Sequence, residues 1–590
     1  MPLRRGHVLI ALVVMVVLPV LGIMSCEAPA PTATPKPPPT VPPPPTSTSP
    51  PPAPTAALLA PTAGPTLPQG LGQSLTMATT ADFSGSGNCS LCHGLLLDES
   101  ANDVSIDTHW RSTMMANAAR DPYYLAKISS EIVHNPALAA TIQEKCAVCH
   151  MPMAHTQAKV DGQPSAVLAP GFSDPKHPLH DVALDGVSCT VCHQVEDRGL
   201  GTKESFSGGF VIDTSTEPPH RKAYGPIPDP YTANMPAMVG YVPLLGEQVK
   251  KAQLCGVCHT LYTPYLDEKG AVAGEFPEQT PLLEWQHSAY AQMGMTCQSC
   301  HMPAAEGGAA ISNRPNPPKI PLRSPFFQHH FVGGNVLMLN LYKAQVDNLG
   351  LACSVDNLDA TLQRVSNQLQ NRSIALSLAD AEVAKDALSL VVRLENMAGH
   401  KFPAGFPSRR VWIHLKVTDA SGAIVFESGQ PRADGTIVGC DADDDAAAYE
   451  EHYDTISSPD QVQIYEPIMQ DRNQKVTYTL LEAAGYLKDN RLLPRGFDKE
   501  TAGDDYAVHG LAGVDKNFLG GADEVTYQIS TAGHSGLFKV SVQVLYQTIG
   551  YGFIRDMQGY DTPLVKEFLG YYEEADRTPV IVAGVEQTIG

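Results

Sequence analysis

Five times between Asn88 and His301 the chain repeats Cys-x-x-Cys-His: Cys89/Cys92/His93, Cys146/Cys149/His150, Cys189/Cys192/His193, Cys255/Cys258/His259 and Cys297/Cys300/His301. These pentapeptides account for ten of the thirteen cysteines. They restrict the fold more than any other feature, because each presents two sulfurs and an imidazole at fixed spacing to one common object. The surrounding segment is rich in Pro, Gly, Met and His, with short helical stretches such as Ala118–Ile132 and only sporadic strand alternation. Such a segment offers little periodic apolar surface from which to build a core.

Two cysteines three positions apart suit thioether bonds to the two vinyl groups of one haem, and the histidine that follows suits the iron. Structural zinc also uses paired Cys-x-x-Cys, but it does not call for a histidine after every pair, and disulfides call for none. The expectation is five haem c groups with their iron. Cys89, Cys92, Cys146, Cys149, Cys189, Cys192, Cys255, Cys258, Cys297 and Cys300 attach them, and His93, His150, His193, His259 and His301 are the proximal ligands. Each haem would be a large apolar plate for a loop-rich segment to pack around. The second and fifth motifs both continue Met-Pro and lie downstream of Trp110 and Trp285, which reads as a diverged internal duplication.

A second protein ligand makes a haem a relay, and an open position makes it a reaction site. His180 and His330 are the favoured distal ligands, and Met115, after Trp110, is a thioether candidate whose alternative is core packing. His134, His155, His177 and His287 are weaker candidates; His400, in Gly-His-Lys-Phe-Pro-Ala-Gly, would need the C-terminal half to dock. Relative to Trp285, Tyr290 takes the place that Met115 takes relative to Trp110, so an open haem would be sought there.

The N-terminus sets the compartment. Arg4 and Arg5 precede an apolar run, Val8 to Met24, and Leu-Gly-Ile-Met-Ser leads into Cys26, so residues 1–26 read as a lipoprotein signal peptide with a lipidated cysteine. An uncleaved membrane helix is the alternative. Residues 27–80 form a Pro-rich linker, with 17 prolines between Glu27 and Gly70. Residues 81–350 form the pentahaem domain, 351–375 a helical connector, and 376–590 a β-sandwich-like domain. In the last, Val411, Ile413, Leu415 and Val417 alternate with polar or amphipathic residues and run through Asp-Ala-Ser-Gly into Ile424-Val425-Phe426. Further strands are expected at Val476–Leu481, Val525–Ser530, Phe538–Thr548 and Val580–Val582, with helices at Leu362–Leu369 and Leu564–Tyr572. The fold class is therefore an α and loop-rich multihaem domain followed by an all-β, sandwich-like one.

With Glu284-Trp285, Cys-His-Met-Pro, the run from Asp185 to Gln194 and His330 to Asn335, the chain resembles multihaem cytochromes with cytochrome c-552/c-554-type domains over about residues 88–340. The C-terminal half is similar to the β-rich tail of such proteins, through Gly399 to Pro403, Trp412 and Pro459 to Glu466. The resemblance implies closely stacked haems with mostly six-coordinate irons, and relatives that include electron carriers and enzymes converting hydroxylamine or nitrite.

The net charge of −22 disfavours nucleic acid. No Ser-His-Asp arrangement, phosphate loop or basic-aromatic stretch is evident. Cys353 and Cys440 could pair or stay free, and Asp441, Asp443, Asp444 and Asp445 read as a solvated acidic loop in preference to a calcium site. The expected role is electron transfer outside the cytoplasm, anchored to the cell envelope, with other cytochromes or a membrane quinol-linked donor as partners. The alternatives are an oxidoreductase acting on a small inorganic nitrogen or sulfur compound at one open haem, and a subunit of an extracellular cytochrome assembly.

Overall fold

The computed structural model describes residues 72–314 and 320–590. The signal peptide and nearly all of the linker expected at the N-terminus lie outside these residues. Among the described residues, no helix is long and apolar enough to cross a membrane.

Short helices carry the N-terminal half, and each motif closes one of them: Ser86–His93, Ala139–His150, Cys189–Cys192 followed by His193, Ala252–His259 and Cys297–His301. The spacing explains the choice, because positions i, i+3 and i+4 fall on one helical face, bringing both sulfurs and the imidazole to the same side. The longest helix of this half outside the motifs is Pro122–His134. It starts at Asp121, whose side chain accepts from the backbone N–H groups of Tyr123 and Tyr124, with proline in the first turn.

The helix Val355–Arg372 opens with a capping box, Ser354 Oγ accepting from the Asn357 N–H while the Asn357 side chain accepts from the Ser354 N–H. Its buried stripe is Leu358, Thr361, Val365 and Leu369. The expected core of this helix, Leu362–Leu369, is thus extended at both ends by a cap and by polar, helix-favouring residues.

Two sheets follow. One runs Ile424–Ser428, Arg410–Thr418, Phe538–Gln547 and Val580–Ile589, all antiparallel, with Ile464–Tyr465 also on the Arg410–Thr418 strand. The other runs Thr455–Ile456, Ala522–Ser530, Ala387–Asn396 and Ile374–Ala384. Period-2 alternation sends Leu388, Leu390, Val392 and Leu394 from one sheet and Val411, Ile413, Leu415 and Val417 from the other into a common apolar cluster.

This half is not all-β, since the helices Tyr551–Gln558 and Pro563–Glu574 belong to it. The second contains the helix expected at Leu564–Tyr572. The strand expected at Val476–Leu481 is reduced to a single bridge from Val476 to Gln470. Beyond it the Thr477 N–H still reaches the Met469 carbonyl at 3.1 Å, but the Thr479 N–H goes to the Thr477 hydroxyl and the Leu480 N–H to Glu131.

The halves are stitched together. Lys127, on the Pro122–His134 helix, donates to the Tyr478 carbonyl at 2.7 Å and pairs with Glu131 and Asp556 at 3.1 and 3.5 Å. Ser129 reaches Thr562 at 2.8 Å, and Ser112 reaches Thr361 at 2.7 Å. The described residues all belong to one compact unit.

Candidate haem-binding site

All ten motif cysteines and all five motif histidines line one continuous cavity of about 1480 Å³ with predominantly apolar walls. An ordinary small-molecule pocket measures roughly 300–1,000 Å³. The space therefore suits several large apolar groups better than one small ligand.

The imidazoles are held in the form a metal needs. The Nδ1 atoms of His93, His150, His193 and His301 face the backbone carbonyls of Ile311, Ala118, Tyr224 and Val332 at 2.7, 3.2, 2.6 and 2.6 Å. A carbonyl can only accept, so Nδ1 carries the proton and Nε2 keeps its lone pair, the arrangement typical of metal-bound histidine. Burial depresses the pKa of all five, to about 4 at His150 and His259, which keeps them neutral. Tyr124 stacks on the His150 ring at 3.8 Å, fixing its plane.

The motif sulfurs are not gathered as a zinc site gathers its donors. Among the described residues, the only three His, Cys, Asp or Glu donors that converge within 4.8 Å of one another are His452, Asp515 and Asp523, far along the chain from any motif. Instead the sulfurs of different motifs neighbour each other in pairs, Cys89 with Cys189, Cys149 with Cys258 and Cys255 with Cys297. The motifs thus crowd together: the first meets the third, and the fourth meets the second and the fifth.

Asp185 secures the first of these contacts. One carboxylate accepts from the N–H and hydroxyl of Ser86, at 2.8 and 2.6 Å, and from the Ser188 hydroxyl at 2.5 Å, so the first and third motif helices share an anchor at their N-termini. Gly186 follows at φ +61°, where a Cβ would lie 2.7 Å from the Met115 carbonyl and 2.6 Å from that of Ala116. Only glycine fits that crossing.

The two tryptophans from which the sequence suggested a duplication make matching contacts. Trp110 Nε1 donates to the Val187 carbonyl at 3.1 Å and Trp285 Nε1 to the Met295 carbonyl at 2.7 Å. Each acceptor lies two residues before the first cysteine of a motif, so the indoles make the same contact at the third and fifth motifs, whereas Met-Pro follows the second and fifth.

The candidate distal residues separate clearly. Met115 lines the cavity, whereas His180 and His330 are not among its walls. His180 turns Nδ1 to the Phe172 carbonyl at 2.8 Å, which leaves its Nε2 unprotonated as at the motif histidines, and the His330 ring meets His109 edge-on at 4.6 Å. The neighbour of His330 faces the space instead: the His329 ring lies 6.3 Å from that of His193, and the His400 ring 6.3 Å from that of His301. Within a His-His pair, sequence alone does not say which ring faces inward. His400 depended on a docking that no local pattern reveals.

Of the weaker candidates, His134 pairs with Glu482 at 2.8 Å, and His287 lies between the Leu283 carbonyl and the Tyr506 hydroxyl. His155 is buried, and His177 packs edge-on against Phe172. The Tyr290 hydroxyl donates to the Met397 carbonyl at 2.7 Å.

No family model matches the chain, and no curated protein matches it. Among solved structures it is similar to a penta-haem cytochrome c552 from Thermochromatium tepidum, with 16% identity and a TM-score of 0.45 over 85% of this chain and 98% of that one. The likeness is distant.

Proposed function

We propose that this chain is a multihaem c-type cytochrome that passes electrons through five covalently attached haems. The observation that carries the proposal is the convergence of ten motif sulfurs and five imidazoles, four of them with Nε2 left free, on one apolar cavity. Haem bound there supplies one-electron chemistry. The chain contributes the thioether sulfurs, the neutral imidazoles, four of them fixed by backbone carbonyls, and predominantly apolar walls. The crowding of the motifs favours transfer between neighbouring centres within the molecule.

We further propose export and anchoring through a lipid on Cys26, with the proline-rich segment as tether. Delivery of electrons to another cytochrome or a membrane donor–acceptor system fits the acidic surface and this placement. Expression in a host competent for cytochrome maturation tests the reading. Intact mass should exceed the polypeptide by five haems, and a Soret band should be present. A bare-polypeptide mass would overturn it. Replacing both cysteines of one motif with alanine should remove one haem equivalent.

A further inference from the structure

We propose that the C-terminal, sheet-bearing half completes the fifth haem site by supplying His400 as the iron's sixth ligand, opposite His301. The inference rests on the haem reading above and deepens it.

The two rings are separated by 6.3 Å with planes 19° apart, and both line the cavity. Two imidazoles on opposite sides of one metal, with bonds of roughly 2.0 Å as in zinc–histidine sites and about 1.1 Å from each nitrogen to its ring centre, would have centres between roughly 6 and 6.5 Å apart. His193 and His329 repeat the separation, 6.3 Å at 27°, at the motif where the other tryptophan makes the same contact. The tautomer agrees, since His400 Nδ1 faces the Lys401 carbonyl at 2.8 Å and so leaves Nε2 unprotonated.

The loop carrying His400 is built to hold its place. Asn396 Nδ2 donates to the His400 carbonyl at 2.9 Å, and the Tyr290 hydroxyl to the Met397 carbonyl. A Cβ on Gly399 would stand 3.3 Å from Trp285 Cδ1 and 3.5 Å from Tyr290 Cβ, so the loop lies directly on the Trp285 segment.

Behind it stands a buried, charge-balanced quartet. Lys401 bonds Asp489 at 2.6 Å, Arg491 grips Asp489 through two bonds of 2.8 Å, and Glu284, the neighbour of Trp285, takes Arg491 and the Lys401 N–H at 3.0 Å each. Glu284 belongs to the haem-bearing half and the other three to the sheet-bearing half. The quartet fixes the position of His400 across the junction.

The holoprotein with His400→Ala tests the assignment. Wild type and variant should both carry five haems by mass, which separates this test from that of the haem reading itself. Electron paramagnetic resonance of the oxidised variant should gain one high-spin ferric haem in five, returned to low spin by added imidazole. An unchanged spectrum would overturn the assignment. If the alanine variant does not accumulate, His400→Met is the second arm. One new His/Met near-infrared charge-transfer band, with one centre moved to higher potential, supports the assignment, and a wild-type spectrum overturns it.

Discussion

At the scale of single residues, buried charges are placed where a partner meets them. Arg410 is gripped by Asp443 through bonds of 2.7 and 2.9 Å, and Asp443 also accepts from the Ile437 N–H. The acidic run 441–445 is therefore not a uniformly solvated loop, for one member is a structural counter-ion. Asp443→Ala, which strands a buried guanidinium, should cost about 3–5 kcal/mol, visible as a lowered thermal midpoint of the sheet-region circular dichroism. Cys353 and Cys440 are both free and buried in separate apolar clusters, so no bridge ties connector to sheet.

Asp121 differs from Asp443 in having no cation beside it, and burial pushes its carboxyl up to about 6. Between its ordinary value near 3.8 and about 6 the folded state retains a proton that the unfolded chain has released. Stability must then fall as pH rises through that window, by up to about 3 kcal/mol. Asn keeps the helix cap without titrating. The stability difference between wild type and Asp121→Asn, measured by denaturant midpoint, should therefore change across pH 4 to 6 in the direction that disfavours wild type at the upper end. A difference independent of pH would refute this.

At the scale of elements, what was legible in the sequence depended on how local the determining force was. The Arg410–Thr418 and Ile424–Ser428 hairpin follows from alternation and an Asp-Ala-Ser-Gly turn. The helical face that gathers each Cys, Cys and His follows from spacing alone. Val476–Leu481 misled, because an apolar-polar alternation there is recruited by a helix end more than 300 residues away in sequence, through Glu131 and Lys127. His329 was hidden for the same reason, and His400 was legible only as a candidate that waited on docking, since tertiary packing selects both. The cap of Val355–Arg372 is a local device with a local cost: Ser354→Ala should lose about 1 kcal/mol of stability, read from equilibrium denaturation of the holoprotein. No change would mean that the tertiary face alone maintains the helix.

At the scale of the whole molecule, the two halves depend on each other through groups that neither could bury alone. The quartet of Glu284, Arg491, Asp489 and Lys401 leaves an uncompensated charge on both sides if the junction parts. The N-terminal half has short helices, and the cavity occupies much of its interior. Protein prepared without haem should therefore be cut by protease first between residues 81 and 350, at sites that the holoprotein protects. Equal resistance of both forms would show that the polypeptide closes this region unaided.

The short peptide from His329 to Val332 turns its first ring toward His193 and offers its last carbonyl to His301 Nδ1 at 2.6 Å. Two of the five motif imidazoles thus meet a single peptide only four residues long. A substitution within this peptide should therefore disturb the surroundings of His193 and His301 together, where one elsewhere would disturb a single imidazole.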